Sequence, residues 1–343
     1  MITRARIAAF AAICVLAVSA AGAYVVYAAG RDRAIRPSTA PIADQAPDAV
    51  GEVIDGPYIV FRSTAIDDGY GRVAVVTLDD PGGERAFTDL VCDRVDVAGG
   101  RGVCLTRDNF FGGMTATIFD GRFVPVDEIT GPGLPSRTRV APGGVLAAYT
   151  TFVAGDSYAD TGFSTRTFVI DLESGRELGN LERFETVRDG ERFDRIDFNF
   201  WGVTFQNGGD SFYATLGTAG KTYLVEGDVS SRRLTVLREG VECPSLSPDG
   251  TRIAFKQRSD DGFGPVTWQI AVLNLETGEV TVLAEDGNVD DQVAWLDDDR
   301  VMYGLYRDEG QSPVTDVWVV PADTSGTPEI LITEAWSPSV VSP

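Results

Sequence analysis

Six imperfect copies of one short pattern run along this chain, and they constrain its fold more than any other feature. The clearest copy is SLSPDGTRIAF at residues 245–255: a short strand, a Pro-Asp-Gly corner, then a strand rich in β-formers. It aligns without gaps to VDVAGGRGVCL at 95–105. Its second half matches PGGVLAAY at 142–149 and LDDDRVMY at 296–303, and DGTRIAF matches DGPYIVF at 55–61 and, more weakly, GGDSFYA at 208–214. The equivalents of Ile253 are then Ile59, Val103, Ala147, Phe212 and Val301, spaced 44, 44, 65, 41 and 48 residues apart in chain order with Ile253 included. Self-similarity at this period marks a repeat architecture.

Each copy is followed by a second pair of strands. The third-strand candidates are RVAVVTL (72–78), TATIF (115–119), TRTFVIDL (165–172), KTYLVEG (221–227), WQIAVLNL (268–275) and DVWVVPA (316–322). Fourth strands follow, as in RLTVL (233–237) and EVTVLA (279–284). Alternating apolar residues bounded by Gly, Asp and Asn are the pattern of antiparallel strands joined by tight turns. The expectation is an all-β fold, a six-bladed β-propeller of four-stranded antiparallel blades over residues 51–343. The 65-residue step holds an insertion, RFETVRDGERFDRIDFNF at 183–200, expected to project from one face as a long loop or a small hairpin. The first unit lacks an inner strand before Asp55, and PSVVSP at 338–343 resembles PSLSPD at 244–249. Pro338–Val341 is therefore expected to supply that strand and close the ring, which removes exposed sheet edges.

The amino terminus reads differently. Residues 7–29 carry no charge and are long enough to span a bilayer as a helix. Tyr24 and Tyr27 stand where an interfacial aromatic belt would. The preferred reading is a transmembrane signal anchor behind the short segment 1–6. The alternative is a cleavable signal peptide cut at Ala21-Gly22-Ala23. Cys14 lacks the small preceding residue of a lipobox and is read as an apolar helix residue. Residues 30–50 are rich in Pro and Ala without periodicity and read as a flexible tether.

Composition then excludes function classes. The net charge is −22, and −24 for residues 51–343. Nucleic-acid binding rests on cationic phosphate contacts, so no nucleic-acid partner is expected. The chain has no histidine, which removes Ser-His-Asp and Cys-His catalysis. No G-x-S-x-G elbow, P-loop or G-x-G-x-x-G turn after a strand is present. No catalytic residue is assigned.

Few side chains remain as candidates. Ser247-Pro248-Asp249-Gly250 suits a type I turn, so Asp249 is read as turn chemistry rather than a catalytic acid. Cys92 and Cys104 flank a reversal and are expected to form a disulfide in an oxidising compartment; two reduced core thiols are the alternative. Cys243, at the start of an inner strand, is read as a buried inert thiol near the channel. The acidic pairs Asp67-Asp68, Asp79-Asp80, Asp260-Asp261 and Asp290-Asp291 and the run Asp297–Asp299 show no EF-hand spacing and are read as solvated turns. No cofactor is expected; calcium in or near the channel is the alternative.

CPSLSPDGTRIAFKQ followed by IAVLNLETGEVTVL resembles the WD-like repeat of the TolB-like β-propeller family, and the resemblance covers roughly residues 50–343. The motif is clearest in the fifth unit. Pro142 keeps the corner in the third, and Leu296 replaces the proline in the last. The resemblance implies the propeller fold and a habit of binding partners. It does not imply a role in a Tol-Pal assembly, because TolB carries an α/β domain before its blades where this chain has the tether. The expected function is a membrane-tethered, extracytoplasmic, non-enzymatic binding or scaffold module of the cell envelope, monomeric, with a protein or peptide partner. The alternative is a lyase or hydrolase acting on sugars or lactones through channel carboxylates, with or without calcium.

Overall fold

The computed structural model describes residues 10, 13–22, 49–108, 112–153, 164–259, 266–307 and 312–342. The chain divides into two units, residues 1–39 and 40–343. In the first, residues 13–22 are helical. Among the described residues no helix is long and apolar enough to cross a membrane. The rest of the expected span at 7–29, with Tyr24 and Tyr27, and most of the tether lie outside the described residues. The tether's end is corrected: Ala49 and Val50 begin a short helix, Ala49–Ile54, and Val53 and Ile54 pack against a buried cluster that includes Val73, Val75 and Leu90.

The second unit is six sheets, each with a core of four antiparallel strands. Blade one runs, from the inside outward, Ala335–Val341 (β26), Tyr58–Ser63 (β1), Arg72–Thr77 (β2) and Ala86–Val91 (β3). Blade two is Arg94–Ala98 (β4), Arg101–Arg107 (β5), Gly113–Asp120 (β6) and Pro125–Pro132 (β7). Blade three is Leu134–Val140 (β8), Leu146–Val153 (β9), Ser164–Asp171 (β10) and Arg176–Asn180 (β11). Blade four is Asn199–Phe205 (β14), Ser211–Thr218 (β15), Lys221–Asp228 (β16) and Arg233–Glu239 (β17), extended by the insertion. Blade five is Glu242–Leu246 (β18), Arg252–Arg258 (β19), Trp268–Asn274 (β20) and Val280–Val282 (β21). Blade six is Ala294–Trp295 (β22), Arg300–Tyr306 (β23), Thr315–Pro321 (β24) and Glu329–Ile332 (β25).

The repeat alignment maps onto packing. Ile253 and its five equivalents occupy the second strand of each blade, and every one is 0% exposed. Two residues further on, Phe61, Leu105, Phe255 and Tyr303 are buried as well. These strands are covered on both faces by neighbouring blades, so they read as continuous apolar runs such as YIVF rather than as alternation. Full burial of one such side chain contributes about 1.5–3 kcal/mol.

The carboxyl-terminal strand closes the ring as the repeat implies. β26 pairs antiparallel with β1, with Tyr58 opposite Val341 and Ile59 opposite Val340. It also reaches the second blade: Ser337 Oγ donates to Val95 O (3.2 Å) and Ser339 Oγ to Val97 O (3.4 Å). The insertion differs from the expectation. It forms a hairpin, Glu185–Arg188 (β12) and Glu191–Arg192 (β13), that does not project from a face. β12 pairs in parallel with β17, so the hairpin adds two strands to the outer edge of blade four.

Candidate functional site

Four places concentrate chemistry: the Pro-Asp-Gly corner with the cysteines, the channel, the bowl at one end of the channel, and a cleft between blades three and four.

The corner is architecture. Gly250 N donates to Ser247 O (2.8 Å), the bond that closes a four-residue turn, and Gly250 has φ +74°. Asp249 Oδ1 accepts from Thr251 N (3.0 Å) and Ser247 Oγ (2.5 Å), and these bonds hold its carboxyl below the usual range. Asp249 N donates to Asp298 Oδ1 (3.0 Å), which ties the corner to the matching corner of blade six. Ser247 and Pro248 stand on the wall of the bowl.

Cys92 and Cys104 are bonded, with Cα atoms 5.4 Å apart. Cys92 follows the outer strand of blade one, and Cys104 lies in β5 of blade two, so the disulfide links two blades. Cys243 is 1% exposed and has φ +49°. Its N–H donates to Thr215 Oγ1 (2.8 Å). It sits at a bulge in β18, and the inner strands β14 and β26 carry comparable irregularities at Gly202 (φ +64°) and Ser337 (φ +56°). The three positions require a left-handed backbone beside the channel, where a small residue is the least strained choice. That supplies the reason for a cysteine there which the sequence pattern withheld.

Charge pairs line the channel. Arg94 Nη1 lies 2.9 Å from Asp291 Oδ1, which joins blade two to the approach to blade six. The Arg94 guanidinium lies 5.2 Å from the Trp336 ring centroid. Arg139 pairs with Asp96 (3.5 Å) and donates to Val293 O (3.1 Å). Burial pushes the Asp96 carboxyl up, against the pull of Arg139 and of the bond from Val140 N. About 10 Å³ of open space remains among these groups, room for about one water. The reading of Asp291 as a solvated turn residue is corrected, since Asp291 is 1% exposed; Asp290 is exposed, as expected, and also holds the buried Lys256 ammonium at 2.6 Å. The sequence carries a signal for this layer: charged residues alternate with small or apolar ones in RVDVA (94–98) and in RTRV (137–140), inner strands whose partners are otherwise apolar.

The bowl opens where the inner strands end. It has a volume of about 480 Å³, and all six blades contribute to its wall. Its wall mixes apolar side chains, Val97, Val140, Phe205, Leu246, Leu296 and Val341 among them, with polar and charged ones such as Asp96, Arg139, Asn207 and Asp298. Its carboxylates are engaged within the protein. Asp96 is paired as above, Asp297 is held by Arg300 (2.5 Å), and Asp298 accepts from Asp249 N. Among the described residues no group of three or more Cys, Asp or Glu is arranged to hold a metal ion. Asp260 and Asp261 lie outside them.

The cleft lies at the opposite end of β14, between blades three and four, with a volume of about 510 Å³. A single 3-10 turn, Leu181–Arg183, leads out of blade three, and Asn180 caps it by accepting from Glu182 N (2.9 Å). Glu182 extends between the blades and accepts from Thr167 N (3.1 Å) and Phe200 N (3.4 Å). Burial pushes its carboxyl up to about 7, opposed by those bonds. The return segment of the insertion, through Arg195 and Phe198, forms the other wall. The role of Glu182 is not legible in the sequence, because its partners are backbone groups of two different blades.

Solved structures place the fold. The chain is similar to TolB from Acinetobacter baumannii, with 15% identity and a TM-score of 0.59, over 84% of this chain and 67% of that one. A chain of a nidogen/laminin complex is similar over 83% of this chain and 98% of its own, with 11% identity and a TM-score of 0.51. A puromycin-hydrolysing peptidase of Mycobacterium tuberculosis shares 16% identity at a TM-score of 0.48, over 82% of this chain and 43% of the peptidase. At these identities the likeness concerns the fold: a six-bladed propeller of the kind seen in TolB. No family model matches the chain, and no curated protein matches it.

Proposed function

We propose that this protein is a non-enzymatic binding module of the cell envelope, held at the membrane by its amino-terminal segment, and that it engages a protein or peptide partner in the bowl. The observation that carries this reading is the chemistry of the bowl wall. A six-blade concavity of about 480 Å³ whose wall mixes apolar and polar side chains offers area to a partner side chain or a short peptide segment. Lyase or hydrolase chemistry on channel carboxylates needs acids free to exchange protons. Asp96 and Asp291 are instead committed to buried arginines, which favours binding over turnover. The strong negative charge of the propeller favours a partner of basic character.

The test is affinity capture from the protein's own membranes with wild type and Leu246→Glu. Leu246 is half-buried on the bowl wall and packs against a core cluster, so the capture is read only if the variant keeps the wild-type melting temperature. The reading expects one partner, retained by wild type and lost by the variant. Absence of any such partner, together with calcium-dependent turnover of a glycan or lactone panel, would replace it with the enzymatic reading.

A further inference from the structure

The seam between blades three and four is built in two halves. Towards the bowl it is apolar: Leu146, Ala148 and Val169 of blade three share one core cluster with Val203 and Phe205 of blade four. Towards the cleft it is polar. Thr165 N donates to Asn199 Oδ1 (2.7 Å), Thr167 Oγ1 donates to Phe200 O, and the Thr150 and Thr167 hydroxyls lie 2.9 Å apart. All three threonines are buried. Glu182 completes this half, because its carboxyl accepts from Thr167 N on one blade and from Phe200 N on the other. Among the described residues it is the one ionisable group in these bonds.

No cation is paired with that carboxyl. The 3-10 turn that carries it packs on β10 and β14. β14 has no charged residue. β10 carries Arg166, which is engaged with another group, and Asp171, which lies at the bowl end of the strand opposite Leu146. Arg183 follows Glu182 in the turn and is exposed. On the return segment of the insertion, Arg195 interacts with Asp197 and the Phe193 ring, and Asp197 accepts from Thr218 Oγ1 (2.7 Å) and Ala219 N (2.7 Å). Among the described residues none of these groups makes an ion pair with Glu182. A carboxylate buried without a cation is costly, so burial favours the neutral acid and raises this carboxyl to about 7, against 4.5 for a free glutamate. The stability that this acid lends the closed seam is complete below pH 4.5 and is lost as pH climbs through about 7.

We propose that Glu182 is a pH-sensitive latch on this seam: as the neutral acid it holds the polar half closed, and on ionisation that half opens into the cleft while the apolar half stays packed. The cleft, of about 510 Å³, has room for the water that hydrates the released carboxylate. Hydrogen bonds hold the polar half, and water replaces them at small net cost, whereas apolar burial holds the other half. The cleft is therefore narrow in mild acid and widens towards neutral pH. The latch is separate from the bowl, because Asn199 at the start of β14 borders the cleft and Phe205 at its end borders the bowl. Failure of one reading leaves the other standing.

The test is amide hydrogen exchange of the full chain between about pH 5 and about pH 7, with each rate divided by its intrinsic chemical rate. At Thr167 and Phe200, whose N–H groups the latch holds, the wild-type opening constant rises by at least about tenfold across that interval. In Glu182→Gln, which has no titratable group at this position, it stays level. Dilute urea locates the opening and needs no variant. It accelerates the core amides of β19, which exchange through global unfolding, and leaves Thr167 and Phe200 unchanged, because a local opening exposes little surface. The same pH dependence in wild type and Glu182→Gln, or urea acceleration of Thr167 and Phe200 equal to that of β19, overturns the proposal.

Discussion

Single residues in this protein are governed by backbone geometry and by burial. Cys243 holds a left-handed conformation at an inner-strand bulge, where Ser337 and Gly202 hold comparable places. An ideal Cβ on Gly202 would lie 2.6 Å from Cys243 Cα, so the two bulges are in close contact. Cys243→Ser is expected to stay near wild type in stability. Cys243→Val places a β-branched side chain at positive φ and should lower stability by about 1–3 kcal/mol, read by urea denaturation. Equal stability of the two variants would remove the geometric account. Glu182 is a second residue-scale case. Its folded pKa is raised to about 7 by burial, above the 4.5 of a free glutamate. A raised acid gives stability that is complete below the unfolded value and is lost as pH climbs through the folded one. Wild type should therefore lose up to about 3 kcal/mol relative to Glu182→Gln between roughly pH 4.5 and 7, seen as a pH-dependent gap in melting temperature. A gap that is flat across that window contradicts the burial of this carboxyl. Asp249 was legible in the sequence because turn chemistry is local. Glu182 and the channel pairs were not, because their partners are distant in the chain.

The elements show where a repeat speaks and where it is silent. Each blade reuses one strand-corner-strand template, so the second and third strands could be placed from DGTRIAF and its copies. The inner strand of blade one was legible only through the match of PSVVSP to PSLSPD, and it closes the ring by pairing with β1. Removing residues 337–343 strips most of that strand and exposes the β1 edge, so the melting temperature should fall by more than about 10 °C; a truncated chain that melts with the full one contradicts closure. The Cys92–Cys104 bond reinforces the same neighbourhood by joining blades one and two. Its loop of eleven intervening residues contributes about 2–4 kcal/mol, so Cys92→Ser with Cys104→Ser should lose that amount in chemical denaturation. The insertion was visible as a break in the period. Its course was not, because parallel pairing of β12 with β17 joins segments whose alternation patterns do not announce each other.

The propeller is a ring of six blades whose inner strands carry arginine–carboxylate pairs and whose two ends differ. One end opens as a bowl of mixed apolar and polar lining shared by all six blades, while a polar cleft bordered by arginines lies off the axis at the other. Absence of histidine and the strong negative charge already narrowed the function classes from composition. The bowl itself could not be read from the sequence, since its wall takes a few residues from every blade. The central claim, that this bowl receives a protein or peptide partner, is tested most directly by photo-crosslinking in native membranes. A benzophenone amino acid replaces Ser342, which is exposed at the bowl, or Val126, which is exposed on the outer strand of blade two. A discrete crosslinked partner from position 342 and none from position 126 is the result expected. No adduct from position 342, or the same adducts from both positions, would contradict a binding function at the bowl.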